Sequence, residues 1–169
     1  MKAYTAKAKK VIDLAKRMSK SMKYNYVGTE HILTALVKEG TGVAAEVLTA
    51  NNVDAGKLQK MIEELISPGE DTLVAEKDGY SPRTQRILQR ASEEAERFGS
   101  EQIGTEHILL AILKEGDCAA SRLLNTIGCN SQKLFVDVLT AMGENPSYYR
   151  EEIQRGRSTT DTSTPTLDQ

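Results

Sequence analysis

The chain has 169 residues, of which 39% are hydrophobic and 27% charged, a composition that fits one compact domain or two very small ones. Its formal net charge is -2 with acidic and basic residues interleaved, which disfavours a dedicated nucleic-acid binder. No run approaches the ~20 apolar residues of a membrane span, and the basic N-terminal segment leads into an amphipathic pattern rather than a signal peptide. We therefore expect a protein with no membrane or nucleic-acid partner, cytoplasmic by default.

The sequence contains an internal duplication. Residues 28–33, Gly-Thr-Glu-His-Ile-Leu, recur as residues 104–109, so the two copies are offset by 76 positions. Other segments related by the same offset are Tyr4-Thr5 and Tyr80-Ser81, and Lys38-Glu39-Gly40 and Lys114-Glu115-Gly116. A constant offset across these segments indicates a duplicated unit with no net insertion between them.

Each copy predicts four helices, because apolar residues recur at helical spacing between turn residues. In the first copy Thr29 is a predicted N-cap of the second helix and Asp54 of the fourth. A turn is predicted at Asn51-Asn52, and Gly40 and Gly42 are expected to end the second helix. The apolar positions of the four helices are Val11, Ile12, Leu14, Ala15 and Met18; Ile32, Leu33, Leu36 and Val37; Val43, Ala44, Val47 and Leu48; Leu58, Met61, Ile62 and Leu65.

The second copy has clearer helix boundaries. Ser81-Pro82 predicts an N-cap followed by proline at the first helical position, and Gly99 predicts the end of that helix. Thr105 is the predicted N-cap of the next helix, and no segment alternates with period two. The pattern predicts an all-α fold of eight helices, in which two four-helix repeats related by a pseudo-two-fold axis share one core.

The predicted boundaries follow from shifts in composition. Residues 1–66 form the first repeat, 67–80 a polar surface linker, and 81–143 the second repeat. Residues 144–169 form a flexible tail, of which 156–169 are expected to be disordered, because so polar a segment buries too little apolar surface to offset its ordering entropy.

Sequence signatures of catalysis are missing. The chain has no P-loop motif, and His31 and His107 each follow a glutamate without the spacing of a zinc-binding HExxH motif. Cys118 and Cys129 lack a CxxC spacing and are expected to be reduced thiols packed as small apolar side chains. We expect no catalytic residue and no metal site, and we expect the histidines to pin each helix start to its neighbouring loop.

Polar residues at helix starts are repeated in both copies. Thr5 and Ser81 open the first helix of each copy, and Glu30 and Glu106 lie in the first turn of the second helix. A helix N-terminus can hold a phosphate, and a carboxylate can bind a guanidinium through two hydrogen bonds, so a site with both groups would suit phosphorylated arginine. Spacing alone favours the simpler alternative, in which these residues are only helix caps and first-turn acids.

The paired Gly-Thr-Glu-His-Ile-Leu motifs resemble the double Clp-N repeat, and the similarity to ClpC-type unfoldases of the Hsp100/Clp AAA+ family covers residues 3 to about 143. The pattern Tyr-[Thr/Ser]-x-[Lys/Arg] at residues 4–7 and 80–83 fits the same family. Residues 164–168 resemble the junction to its first ATPase module. The resemblance implies a non-enzymatic, eight-helix domain that lies on a hexameric ATPase ring, with ATP and magnesium bound by ATPase modules outside this chain.

The resemblance also implies partners and a binding site. It implies recruitment of substrates and of adaptors such as MecA, for delivery to ClpP by the full-length ring, with the isolated domain a monomer without a cofactor. Phosphoarginine-tagged proteins are implied ligands, with Glu30 and Glu106 binding the guanidinium and Thr5 and Ser81 the phosphate. Lys7 and Arg83 are further basic candidates. The alternative is a MecA-like adaptor-docking module that does not bind phosphoarginine.

Overall fold

A computed structural model describes residues 1–65 and 79–158, and this part of the chain is helical, with isolated β-bridges and no strand. The predicted all-α class is confirmed, whereas the linker at 67–80 lies outside the described residues except for its last two positions. The first repeat contains α1 (Ala6–Ser21), α2 (Thr29–Glu39), α3 (Val43–Ala50) and α4 (Ala55–Leu65). The second repeat contains α5 (Pro82–Arg97), α6 (Thr105–Glu115), α7 (Ala119–Thr126) and α8 (Ser131–Ala141).

Several predicted helix boundaries are confirmed at atomic detail. The Thr5 and Ser81 hydroxyls each accept a hydrogen bond at 3.1 Å, from the amides of Ala8 and Thr84, and so cap α1 and α5. Asp54 caps α4 by accepting from the amide of Lys57 at 2.9 Å. These side chains take up amides of the first helical turn that have no partner within the helix.

One hydrophobic core runs through both repeats, as predicted. The central helices are α2 and α6, whose side chains are buried over almost their whole length because they contact helices of both repeats. Fully buried apolar residues of these helices are Ile32, Leu33, Ala35, Leu36, Ile108, Leu109, Leu110, Ala111 and Ile112. Each such side chain contributes roughly 1.5–3 kcal/mol of burial free energy, so the core that the two repeats share stabilises both of them.

The chain entering each repeat is pinned to the other repeat. Tyr4 forms a parallel bridge with Ile103, and Val27 forms the corresponding bridge with Tyr80. The amide of Thr5 donates to the Ile103 carbonyl at 2.9 Å, and the amide of Ser81 donates to the Val27 carbonyl at 3.1 Å. The first helix of each repeat therefore starts beside the second helix of the other repeat.

Thr29 and Thr105 do not cap their own helices, so this prediction is wrong. The N-caps are Gly28 and Gly104, and each threonine is the first helical residue. The Thr29 hydroxyl instead accepts from the amide of Ala120 in α7 at 3.0 Å, and the Thr105 hydroxyl accepts from the amide of Ala44 in α3 at 3.3 Å. Each threonine therefore satisfies the start of a helix in the opposite repeat.

The segment after residue 143, predicted as a flexible tail, contains a 3-10 helix (Pro146–Tyr149) and α9 (Arg150–Ser158). Glu152 of α9 pairs with Arg97 and, at 2.9 Å, with Lys114, and the hydrogen bond from Arg97 lowers the pKa of Glu152 to about 2. The Tyr149 ring packs against Phe98 with centroids 5.7 Å apart. Composition did not predict this helix, because the residues that hold it, Arg97, Lys114 and Phe98, are distant in sequence. Residues 159–169 lie outside the described residues.

Candidate functional site

A cavity of about 280 Å³ lies where the two repeats meet, at the starts of α2, α5 and α7. We call it the Glu30 cavity. It brings together Glu30 of the first repeat with Ser81 and Arg83 of the second, which were predicted site residues. Its remaining lining residues are Tyr26, Gly28, Thr29, Pro82, Arg86, Asp117, Cys118, Ala119 and Arg122.

Helix starts contribute partial positive charge to the lining of this cavity. Gly28 and Cys118 are the N-caps of α2 and α7, and Ser81 is the N-cap of α5, so three helix N-termini meet among the described lining residues. Amide hydrogens at a helix start carry partial positive charge and favour an anion. The cavity is therefore suited to a negatively charged group such as phosphate.

Charged side chains of both signs line the same cavity. Arg86 donates to the Glu115 carboxylate at 2.9 Å, and Arg83 lies 3.6 Å from the same oxygen while donating to the Asp117 carbonyl. Glu30 also lines the cavity, although only 3% of this residue is exposed. The cavity thus combines arginines that favour an anion with a carboxylate that favours a cation.

The glycines before the two glutamates are explained by close contact with those glutamates. A Cβ atom at Gly28 or Gly104 would lie 2.9 Å from Cδ of Glu30 or Glu106, which is closer than side-chain atoms pack. Both glycines have φ near -96°, a conformation open to any residue, so the requirement is for space rather than for backbone freedom. The repeated Gly-Thr-Glu thus lets each carboxylate fold back over its own helix start.

The histidines have the predicted structural role. Nδ1 of His31 accepts from the Gly28 amide, and Nδ1 of His107 accepts from the Gly104 amide, both at 2.9 Å. Burial lowers the pKa of His31 to about 4 and also lowers the pKa of His107, so both rings are neutral at pH 7. A neutral ring buried as a cap is poorly placed for acid–base chemistry.

Predicted site residues from the other halves of the repeats form a second group. Thr5 is held beside Ile103 at the entry to α6, which carries Glu106, and Lys7 donates to the Thr41 carbonyl at 3.2 Å. We call this group the Glu106 site and include Lys10 and Glu46, which lie 76 positions before the cavity residues Arg86 and Arg122. Each group combines residues of both repeats, because the first helix of each repeat starts beside the second helix of the other.

Three lining residues are not among those predicted from the sequence: Arg86, Arg122 and Cys118. Arg86 lies three positions after Arg83 in α5 and so shares its helix face, a signal that was available. Arg122 and Cys118 approach through α7, whose position depends on contacts distant in sequence. Cys118 and Cys129 are both unpaired thiols, as expected, and Cys118 is buried.

Other kinds of site are poorly supported in the described ranges. Residues 1–65 and 79–158 contain no cluster of three or more histidine, cysteine, aspartate or glutamate side chains with metal-binding geometry. In the same ranges, no helix has the length and apolar character needed to cross a membrane.

Most of the chain is similar to a known protein family. The family model for the Clp repeat (R) N-terminal domain matches residues 3–127. The chain belongs to this Clp repeat family. It is 36% identical over 165 residues both to the chaperone protein ClpB of Oceanobacillus iheyensis and to the negative regulator of genetic competence ClpC/MecB of Bacillus subtilis. Each alignment covers 98% of this chain and 20% of the relative, so the chain spans about a fifth of their length.

Solved structures show the same fold. The N-terminal domain of ClpD from Arabidopsis thaliana superposes with a TM-score of 0.70 at 20% identity, covering 83% of this chain and 94% of that one. The Hsp104 N-terminal domain from Candida albicans gives 0.67 at 15% identity, covering 85% and 93%. The resemblance of the duplicated motifs to the Clp-N repeat is therefore confirmed.

Proposed function

We propose that this chain is the substrate- and adaptor-binding N-terminal domain of a ClpC-type protein unfoldase, and that it binds phosphoarginine-marked proteins for delivery to the ClpCP protease. Family membership and the similarity to ClpC/MecB along nearly the whole chain support the first part. The Glu30 cavity supports the second part, because it is the observation that unites an acid with an anion-binding surface.

The ligand chemistry follows from the two charges of phosphoarginine. Its guanidinium would be bound by the Glu30 carboxylate, and its phosphoryl group by the starts of α5 and α7 together with Arg83 and Arg122. Neither an unmodified arginine nor a phosphoserine satisfies both halves of such a cavity. A volume of about 280 Å³ is just below the ~300–1,000 Å³ of common small-molecule pockets, which favours a single modified side chain.

Calorimetry with free phosphoarginine tests the proposal. We expect saturable binding to the wild type and at least about tenfold weaker binding to Glu30→Gln/Glu106→Gln, because each carboxylate loses its charge-assisted hydrogen bonds at nearly unchanged volume. Arginine and inorganic phosphate should each bind more weakly than phosphoarginine. Glu63→Gln is the matched control, since Glu63 is exposed in α4 and is not one of the lining residues.

The outcome also separates phosphoarginine recognition from adaptor docking. If the double variant binds phosphoarginine as tightly as the wild type, the two carboxylates are not the guanidinium ligands. If no phosphoarginine binding occurs while a MecA-like adaptor still binds both proteins, the chain is a docking module without this ligand. Circular dichroism of each variant excludes loss of the fold as the cause.

A further inference from the structure

The duplication allows the Glu30 cavity and the Glu106 site to be compared position by position. The same offset of 76 residues that relates Glu30 to Glu106 relates every other lining residue to a counterpart. Basic residues are retained as Lys7 and Lys10 in place of Arg83 and Arg86, although lysine lacks the fork of donors with which arginine binds phosphate. The two sets differ most strongly at the helix that completes each site, which is α7 for one and α3 for the other.

The first difference is a reversal of charge. Arg122 lies in the first turn of α7 and lines the Glu30 cavity, whereas Glu46 occupies the equivalent place in the first turn of α3. Both side chains are exposed. Within residues 1–65 and 79–158, the Arg122 guanidinium has neither an ion-pair nor a hydrogen-bond partner, so its donors are available to a ligand.

The second difference is an internal anion at the start of α3. Glu39 accepts from the amide of Gly42 at 2.7 Å and from the amide of Thr41 at 3.1 Å, so a carboxylate already neutralises this helix start. Burial acts to raise the pKa of Glu39, but the hydrogen bonds from Thr41 and Gly42 outweigh it and lower the pKa, so the group is ionised at pH 7. A phosphate approaching the Glu106 site meets this charge.

The counterpart of Glu39 is placed differently. Glu115 turns towards α5, where its carboxylate binds Arg86 at 2.9 Å and lies 3.6 Å from Arg83. The Glu115 side chain is 5% exposed, and it binds these arginines instead of accepting hydrogen bonds from amides at the start of α7. The N-terminus of α7 therefore keeps its positive character towards the Glu30 cavity.

We infer that the two sites are unequal, with the Glu30 cavity as the principal phosphate-binding site and Arg122 as the residue that determines its preference for an anion. This inference rests on the proposed function and deepens it by assigning the phosphoarginine side chain chiefly to one cavity. The Glu106 site binds the same ligand more weakly, because Glu39 occupies the start of α3 and Glu46 repels the phosphoryl group.

Residue-resolved NMR of the ¹⁵N-labelled chain titrated with free phosphoarginine tests this inference. The amides of Gly28 and Gly104 are matched reporters, because each lies at its helix N-cap and donates to a histidine. We expect the Gly28 signal to saturate at about tenfold lower ligand concentration than the Gly104 signal. This is the difference in affinity expected if the Glu106 site makes one charge-assisted hydrogen bond fewer with the ligand. Arg122→Glu should weaken the Gly28 response about tenfold, and Glu46→Arg should tighten the Gly104 response.

A charge-matched control is Arg17→Glu, because Arg17 is exposed in α1 and its substitution changes the net charge by the same amount. It should leave both responses within about twofold of the wild type. Equal saturation of Gly28 and Gly104, or tighter binding at Gly104, would overturn the inequality while leaving phosphoarginine recognition intact. Absence of a saturable response at both glycines would instead overturn the proposed function, and the inequality with it.

Discussion

The hydrogen bond from the Ala120 amide to the Thr29 hydroxyl predicts a measurable cost for Thr29→Val. Ala120 is fully buried and Thr29 is 3% exposed, so little solvent reaches this amide to replace the lost acceptor. Valine keeps the volume of threonine, which leaves the unpaired amide as the main change. An unsatisfied buried donor costs about 1–3 kcal/mol, and we expect the free energy of unfolding to fall by about 1.5 kcal/mol.

The assay is urea unfolding followed by circular dichroism, with a lower midpoint and an unchanged slope expected for Thr29→Val. Thr105→Val should cost less, about 1 kcal/mol, since its bond to Ala44 is longer at 3.3 Å. Thr34→Val is the matched control: Thr34 is also fully buried, but its hydroxyl donates to the Glu30 carbonyl, which keeps its bond within the helix. If Thr29→Val costs no more than this control, the cross-repeat cap does not contribute to stability.

Further predictions concern the helix starts themselves. Burial lowers the pKa of His31 to about 4, so between about pH 6.5 and 4 this histidine binds a proton only in the unfolded chain. The free energy of unfolding should therefore fall by up to about 3 kcal/mol as the pH is lowered through this range. In His31→Gln, whose amide oxygen can accept from Gly28, this part of the pH dependence should vanish in urea titrations; an unchanged slope would contradict the assignment. Gly28→Ala should displace the Glu30 carboxylate and weaken phosphoarginine binding about tenfold by calorimetry, with a loss of stability below about 1 kcal/mol. Retained affinity would show that the position of the carboxylate is not required.

Much of the fold could be predicted because its signals are local. The hydroxyls of Thr5 and Ser81 cap the helices that they precede, and the turn at Asn52 takes a positive φ of 65°. The offset of 76 residues indicates two equal units from the sequence alone. Such signals depend on a few consecutive residues, whose preferences survive in the folded chain.

The arrangement between the repeats could not be predicted in this way. Thr29 has the residue type of an N-cap, yet the helix begins one position earlier and its hydroxyl is directed towards α7. Glu30 lines the same cavity as Ser81, rather than lying with Thr5, because the bridge between Val27 and Tyr80 places the start of α5 beside α2. Helix α9 is similarly held by Glu152 through ion pairs with residues far along the chain. In each case the deciding partner is distant in sequence.

The exchanged bridges and caps have a consequence for the origin of this architecture. Each contact that the first repeat makes with the second is also made by the second with the first, at the matching positions. This is the pattern of an isologous interface in a two-fold homodimer. A single-copy ancestor could have self-associated through these contacts and presented identical clefts on either side. Fusion of two genes would then have freed each cleft to diverge, so that reversed charges such as those at Arg122 and Glu46 became accessible to selection.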